Sequence, residues 1–370
     1  MTEPNNINFD QYWFMNICSE SELERIMNVQ NAKDYILRLR AETIADNSRL
    51  YRVFLHERQK YEAKGWDWAL EKYFTAYNYI DVLHSLDPEK EELCRQVAFG
   101  SIISNDPNGL IFDSPFGICS TFSIVLKYFS QFSCLALFHL DNKVPMHVRM
   151  QAMRIAVRIM LQKESLDFEV DPRGIIPEEI QKEIAPIYPQ QITFIAAHEF
   201  SHYINGDLQK GATMKQAVLK AHFKDQTDYK MLNAYNVSQQ KEFKADIGAM
   251  TYPKYLKDWY ARIYFATMLW FASLAIYEAA EDTIFPPNGY PSHPGAKARY
   301  NNLLENAPRP NNFDKKLYYE TIPGLVNFWE DFVKQDVTEN FEMYEMYGSL
   351  YLDKPNSEWR GRELIDRVDY

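Results

Sequence analysis

The chain has 370 residues, 46% of them apolar and 15% aromatic, which fills a large core and excludes a disordered composition. Its 51 acidic residues outnumber 40 basic ones, giving a net charge of −11, and no dense Lys/Arg stripe offsets that balance, so nucleic acid is not an expected partner. At ~100–200 residues per domain, the length allows two or three compact units or one large helical one.

The opening residues, Met1-Thr2-Glu3-Pro4-Asn5-Asn6, show neither the basic nor the apolar segment of a secretory signal. Residues 1–147 read as a helical N-terminal region. Glu20 to Ala45 carries Leu23, Ile26, Met27, Ile36, Leu37 and Leu39 among charges, and Tyr51 to Tyr79 continues in that style past Gly65. Asp87-Pro88 marks a helix start, because Pro suits the first turn. Asn105 to Gly109 is a loop, and Ile118 to Leu140 is apolar enough for a single buried helix.

Residues 148–310 read as a core and 311–370 as a helical tail packed on it. Val148 to Gln162 is amphipathic. Asp167 to Val170 is a strand candidate ahead of the turn Asp171-Pro172-Arg173-Gly174, expected to contribute a small sheet roofing a cleft. Three helices follow: one from just after Pro189 to about Ile204, closed by Asn205-Gly206; one from about Gln226 to Met250; and one from about Leu256 to Thr283, closed by Pro286-Pro287. The fold class expected is mainly α (α+β). The longest apolar stretch, Ile263 to Tyr277, is shorter than the ~18–20 residues that span a bilayer. It is therefore expected to be a buried core helix, with no integral membrane association and a cytoplasmic location. Cys18, Cys94, Cys119 and Cys134 form no CxxC pair and are expected to be free, buried thiols.

The chemistry concentrates in His198-Glu199-Phe200-Ser201-His202. Residues four apart on a helix share a face, so His198 and His202 can present two imidazoles to one metal ion. Glu199 is displaced around the helix, from where it can take a proton from a metal-bound water and pass it to a leaving amine. A catalytic zinc needs a third ligand and an open position. Asn205 and Leu208 stand where an extended motif would need Gly and a third His. The best candidate is Glu242 in Glu242-Phe243-Lys244-Ala245-Asp246, with Asp246 one turn on, able to orient a ligating imidazole. The bland alternative is a solvated acidic face beside Lys241 and Lys244. Asp207 is a rival ligand, although it follows the helix stop. Farther on, Ser292-His293-Pro294 and Arg299 offer an oxyanion-stabilising histidine and a bracing cation. A capped surface turn is the other reading of those two.

These segments resemble the catalytic core of HtpX-type and CAAX-prenyl-type endopeptidases, with HExxH at 198–202, ExxAD at 242–246 and HPxxxxR from His293 to Arg299, in that order. The resemblance covers about Gln190 to Arg299. In general layout the chain is also similar to phage-exclusion peptidases, which act on a host protein. The resemblance implies a zincin-like core of the gluzincin type, with His198, His202 and Glu242 on Zn²⁺, Glu199, His293 and Arg299 as catalytic residues, and Asp246 behind the ligands. It implies hydrolysis of a protein or peptide substrate. The contrasting expectation is a non-catalytic, zinc-containing helical protein that binds a partner.

Overall fold

The computed structural model describes residues 9–74, 76–104, 107–137, 143–169, 171–208, 213–216, 232–235, 239–285, 294–353, 358–359 and 362–363. Most of these are helical. The first helices are α1 (Phe9–Phe14), α2 (Glu20–Met27), α3 (Ala32–Asp46) and α4 (Ser48–Glu62). The helical stretch from Glu20 to Ala45 divides into two helices, α2 and α3. Asn31 breaks it: its side chain accepts the N–H groups of Lys33 and Asp34 and starts α3 afresh. Next come α5 (Tyr77–Ser85) and α6 (Pro88–Cys94), the latter capped by Asp87 with Pro88 in its first turn.

Three strands follow, β1 (Ala98–Ile102), β2 (Gly109–Ser114) and β3 (Gly117–Ser123). The sheet therefore lies upstream of its expected place, and the helix expected over Ile118 to Leu140 begins only at α7 (Leu126–Leu137). Beyond α7 lie α8 (Met146–Met160), α9 (Glu178–Ile184) and α10 (Ile187–Ile204). Short strands β4 (Thr213–Gln216) and β5 (Leu232–Tyr235) precede α11 (Gln239–Thr251). The helix expected from Gln226 is corrected by β5 and by this later start. The chain continues with α12 (Lys257–Ile284), α13 (Ala296–Asn306), α14 (Ile322–Glu339), α15 (Phe341–Glu345) and a hairpin of β6 (Glu358–Trp359) and β7 (Arg362–Glu363).

The larger sheet has the order β1-β3-β2-β5-β4, with β1 and β3 parallel and the remaining pairs antiparallel. Side chains alternate between its two faces. Ala98, Ile102, Phe112 and Cys119 pack against Tyr35, Ile36 and Leu39 of α3. Phe99 and Phe122 face the other way, where Tyr79 stacks on both and Phe200 of α10 meets Tyr79 and Phe99 edge-on. Helix α10 is thus held beneath a sheet that the N-terminal region supplies.

Asp167 to Glu169 is not a strand, and Val170 lies outside the described residues. Charge decides the conformation there. Asp167 turns inward to Arg173 at 2.8 Å and to the partly exposed Arg49 at 2.9 Å, while Glu164 takes Arg158 at 2.7 Å and Arg173 at 3.2 Å, the rest with almost no exposure. Leu350 N–H also donates to Glu164, so this buried network fastens the C-terminal segment. Similarly, Asp336 of α14 receives the Arg154 fork from α8, with Nε at 2.7 Å, and the Tyr344 hydroxyl from α15 at 2.5 Å.

Helix α12 is long and apolar enough to cross a membrane by length and composition, yet 78% of its most apolar window is buried against other elements. It packs on α10, α13 and α14 at the centre of the largest core. The four cysteines are free and buried.

Candidate metal centre

Fourteen of the eighteen residues of α10 are buried, so this helix runs through the core and its polar side chains must find partners there. His198, Glu199 and His202 all lie on it. The helix ends where Gly206 adopts φ +75°, a conformation that suits glycine, and Asp207 N–H returns to the His202 carbonyl. This reversal brings Asp207 Oδ2 to 2.7 Å from His202 Nδ1. Lys241 stands 3.3 Å from the other Asp207 oxygen. Burial would raise the Asp207 carboxyl, but His202 and Lys241 hold it below its ordinary value.

Helix α11 lies close against α10. At Gly248 an added Cβ would fall 2.8 Å from Ser201 Oγ and 2.9 Å from Ser201 Cβ. The missing side chain is what allows this approach, and it brings Glu242 and Asp246 to the histidines. Gly248→Ala is expected to force the helices apart at a cost of about 1–3 kcal/mol. Chemical denaturation checks this; an unchanged midpoint would mean that α11 shifts freely and the contact sets nothing.

His198 Nε2 and His202 Nε2 lie 3.1 Å apart, and the Glu242 oxygens stand 3.5 Å and 3.3 Å from them. The two imidazole planes are almost perpendicular, at 87°. His198 Nδ1 sits 3.0 Å from Asp246 Oδ1, close though off the ideal hydrogen-bond line. With each Nδ1 facing a carboxylate, the neutral tautomer inferred for both rings points the Nε2 lone pairs at each other and at Glu242. Three acceptors facing one another repel unless a metal ion, or a proton on one imidazole, sits between them. His198, His202 and Glu242 can accordingly hold a metal ion: one donor atom from each lies within 4.8 Å of the others.

The surroundings favour positive charge here. Burial alone would lower the His198 imidazole, but Asp246 and Glu242 push it up to about 10. Arg299 of α13 grips Asp246 with Nε at 2.9 Å and Nη2 at 2.6 Å, and its Nη1 lies 3.5 Å from Glu242. Against the burial that would raise it, Arg299 and His198 keep the Asp246 carboxyl below its ordinary value. Glu199 differs. Burial raises its carboxyl, and Oε2 has no hydrogen-bond partner among the described residues.

His198, Glu199, Glu242 and Arg299 open into a cleft of about 470 Å³. Its near wall is Pro107 to Gly109 at the start of β2, and its far wall is a face of α12. The structure thus gathers His198, Glu199, His202, Glu242, Asp246 and Arg299 in one place. His293 lies outside the described residues. Sequence reasoning missed Gly248, whose only signal is the small-residue run with Ala245 and Ala249, and it missed the α12 wall altogether. No family model matches the chain, and no curated protein or solved structure does.

Proposed function

We propose that the chain is a zinc-dependent peptidase acting on a protein or peptide substrate. The observation that carries this reading is the buried donor group of His198, His202 and Glu242, with the two Nε2 atoms 3.1 Å apart and one Glu242 oxygen 3.5 Å from His198, the other 3.3 Å from His202, in a cleft beside a buried Glu199 whose Oε2 has no hydrogen-bond partner among the described residues. A tetrahedral centre with ligand distances of about 2.0–2.1 Å has edges of about 3.3 Å. Two imidazoles and a carboxylate are also a donor set that catalytic zinc uses, leaving a fourth position open. The two nitrogen donors and their 3.1 Å separation are what favour zinc over calcium, which takes 6–8 oxygens.

Zinc, when bound, would polarise the scissile carbonyl and lower the pKa of a water. The chain's own residues do the rest. Glu199 takes a proton at Oε2 and delivers it to the departing nitrogen. Asp246 and Asp207 fix the His198 and His202 rings, and Arg299 holds Asp246 in place. The wall from Pro107 to Gly109 bounds one side of the bound chain. Among the described residues, the donor group has three members, which leaves room for chemistry at the fourth position.

Elemental analysis of the purified protein beside Glu242→Ala tests this reading, together with hydrolysis of unfolded protein substrates with and without a chelator. The expected result is one zinc per chain in the wild type, far less in the variant, and hydrolysis that the chelator stops and added zinc restores. A metal-free wild type, purified without chelators, would sink the proposal and leave a helical partner-binding protein as the better reading.

A further inference from the structure

The far wall of the cleft is one stripe of α12. Trp270, Leu274, Tyr277, Glu278 and Glu281 recur at helical spacing and all line the cavity. The charges at this end of α12 are arranged against its own stability. Glu278, Glu281 and Asp282 fall in its last two turns, where the helix dipole is negative, and the last turn holds no basic residue. Spacings of three and four between carboxylates add mutual repulsion. Among the described residues, none of the three forms an ion pair, and the sequence from Pro286 to His293 holds no Lys or Arg.

What relief exists is partial. Both Glu278 oxygens accept the Ala296 N–H at the start of α13, at 2.9 and 3.0 Å, and Glu281 accepts the Tyr277 hydroxyl at 2.6 Å. Burial still pushes the Glu278 carboxyl up, the Ala296 N–H and the Arg299 charge pull it partly back, and Asp282 and Glu281 add smaller rises. Arg299, the nearest cation in the cleft, is held by Asp246. Glu199, whose buried Oε2 has no hydrogen-bond partner among the described residues, lines the same cleft. A locally unfavourable charge pattern placed on the wall of a cavity is the kind of conflict that a bound ligand resolves.

We infer that this wall is a subsite for a cationic group of the substrate, with Glu281 and Glu278 supplying the charge and Trp270 and Tyr277 the aromatic faces. A Lys or Arg side chain fits that chemistry: its stem covers the apolar stripe at Leu274 and its head reaches the carboxylates. The inference rests on the hydrolytic reading above for the cleft's use, and it adds the class of substrate.

The test uses paired peptides that differ only in Arg against citrulline, or Lys against norleucine, each with a free and an acetylated N-terminus. The zinc-loaded full chain is expected to favour the cationic twin at least tenfold in kcat/KM at low salt. That ratio should fall severalfold in Glu281→Gln and invert in Glu281→Lys. A preference that survives acetylation assigns the subsite to the side chain; one lost on acetylation would overturn that assignment. Binding of the same pairs to Glu199→Gln, read by fluorescence anisotropy, separates the subsite from the hydrolysis. Cleavage with a ratio near one overturns the subsite and leaves the peptidase standing. Preferential binding without any cleavage in the wild type supports the subsite and overturns the peptidase. Neither cleavage nor preferential binding overturns both.

Discussion

Glu199→Gln is expected to lower kcat by about a hundred- to ten-thousand-fold while leaving one zinc per chain. The substitution keeps the shape of the side chain but removes its ability to take a proton. Glu199 lies on α10 between the two histidines, yet it is no part of the donor triangle of His198, His202 and Glu242. Its Oε2 is buried without a hydrogen-bond partner among the described residues, and burial raises its carboxyl above the ordinary value. A side chain so placed adds nothing to a purely structural metal site, where an unsatisfied buried oxygen only costs stability. The measurement is paired: metal content by elemental analysis and peptide hydrolysis under saturating substrate. Activity within tenfold of the wild type would remove Glu199 from the chemistry. Loss of zinc together with activity would instead make it a ligand or a structural support.

Asp336→Ala is expected to destabilise the fold by about 3 kcal/mol, toward the lower end of what breaking a buried ion pair costs. Asp336 is buried and receives the Arg154 fork from α8, the Tyr344 hydroxyl from α15 and Asn340 Nδ2 at 2.9 Å. One carboxylate thus joins three helices. Removing it leaves a largely buried guanidinium unpaired, with the Arg154 side chain only 15% exposed. The effect of pH has a definite sign. Burial would raise the Asp336 carboxyl, but Arg154 and Tyr344 hold it below its ordinary value. A depressed folded pKa stabilises the protein above the unfolded value of about 3.9 and loses that contribution as pH falls through the folded value. The gap between wild type and variant in urea denaturation is therefore expected to stay constant from about pH 8 to pH 5. A gap that closed already at pH 6 would point to a histidine and not to this carboxylate.

How much of the molecule was legible depended on how local each signal was. His198, Glu199 and His202 sit within one turn and a half of one helix, so spacing alone placed them together. Asp87-Pro88 and the long apolar run of α12 were equally local, and the structure places a helix at each. Pro189 was expected to precede α10 but lies inside its first turn, where its missing N–H leaves no bond unmade. The sheet was less legible. β3, Gly117-Ile118-Cys119-Ser120-Thr121-Phe122-Ser123, lies between β1 and β2 with packed elements on both faces, so it lacks the alternation of a half-exposed strand and merges in sequence with the apolar α7. Asp167 to Val170 points to a strand by alternation alone, whereas Asp167 is held by ion pairs with Arg173 and Arg49 and Glu169 by an exposed pair with Lys127. The approach of Arg299 to Asp246, which lies 53 positions earlier, follows from packing of α13 on α11, for which a single sequence holds only a motif-level hint.

The placing of α10 under β1, β3 and β2 bears on how far the candidate metal centre is portable. The stretch from Gln190 to Arg299 contains every donor atom and its orienting partners, and on that basis it looks like a cassette that could be cut out and grafted elsewhere. It is not self-sufficient. Phe200 rests on Tyr79 and Phe99, and the backbone at Gly109 passes so close that a Cβ there would strike Ile195 at 2.5 Å. A transplant beginning after the strands would carry the ligands but leave this flank of α10 facing water. The smallest unit that can be moved intact therefore begins well before the motif, at or ahead of Tyr77, where α5 starts.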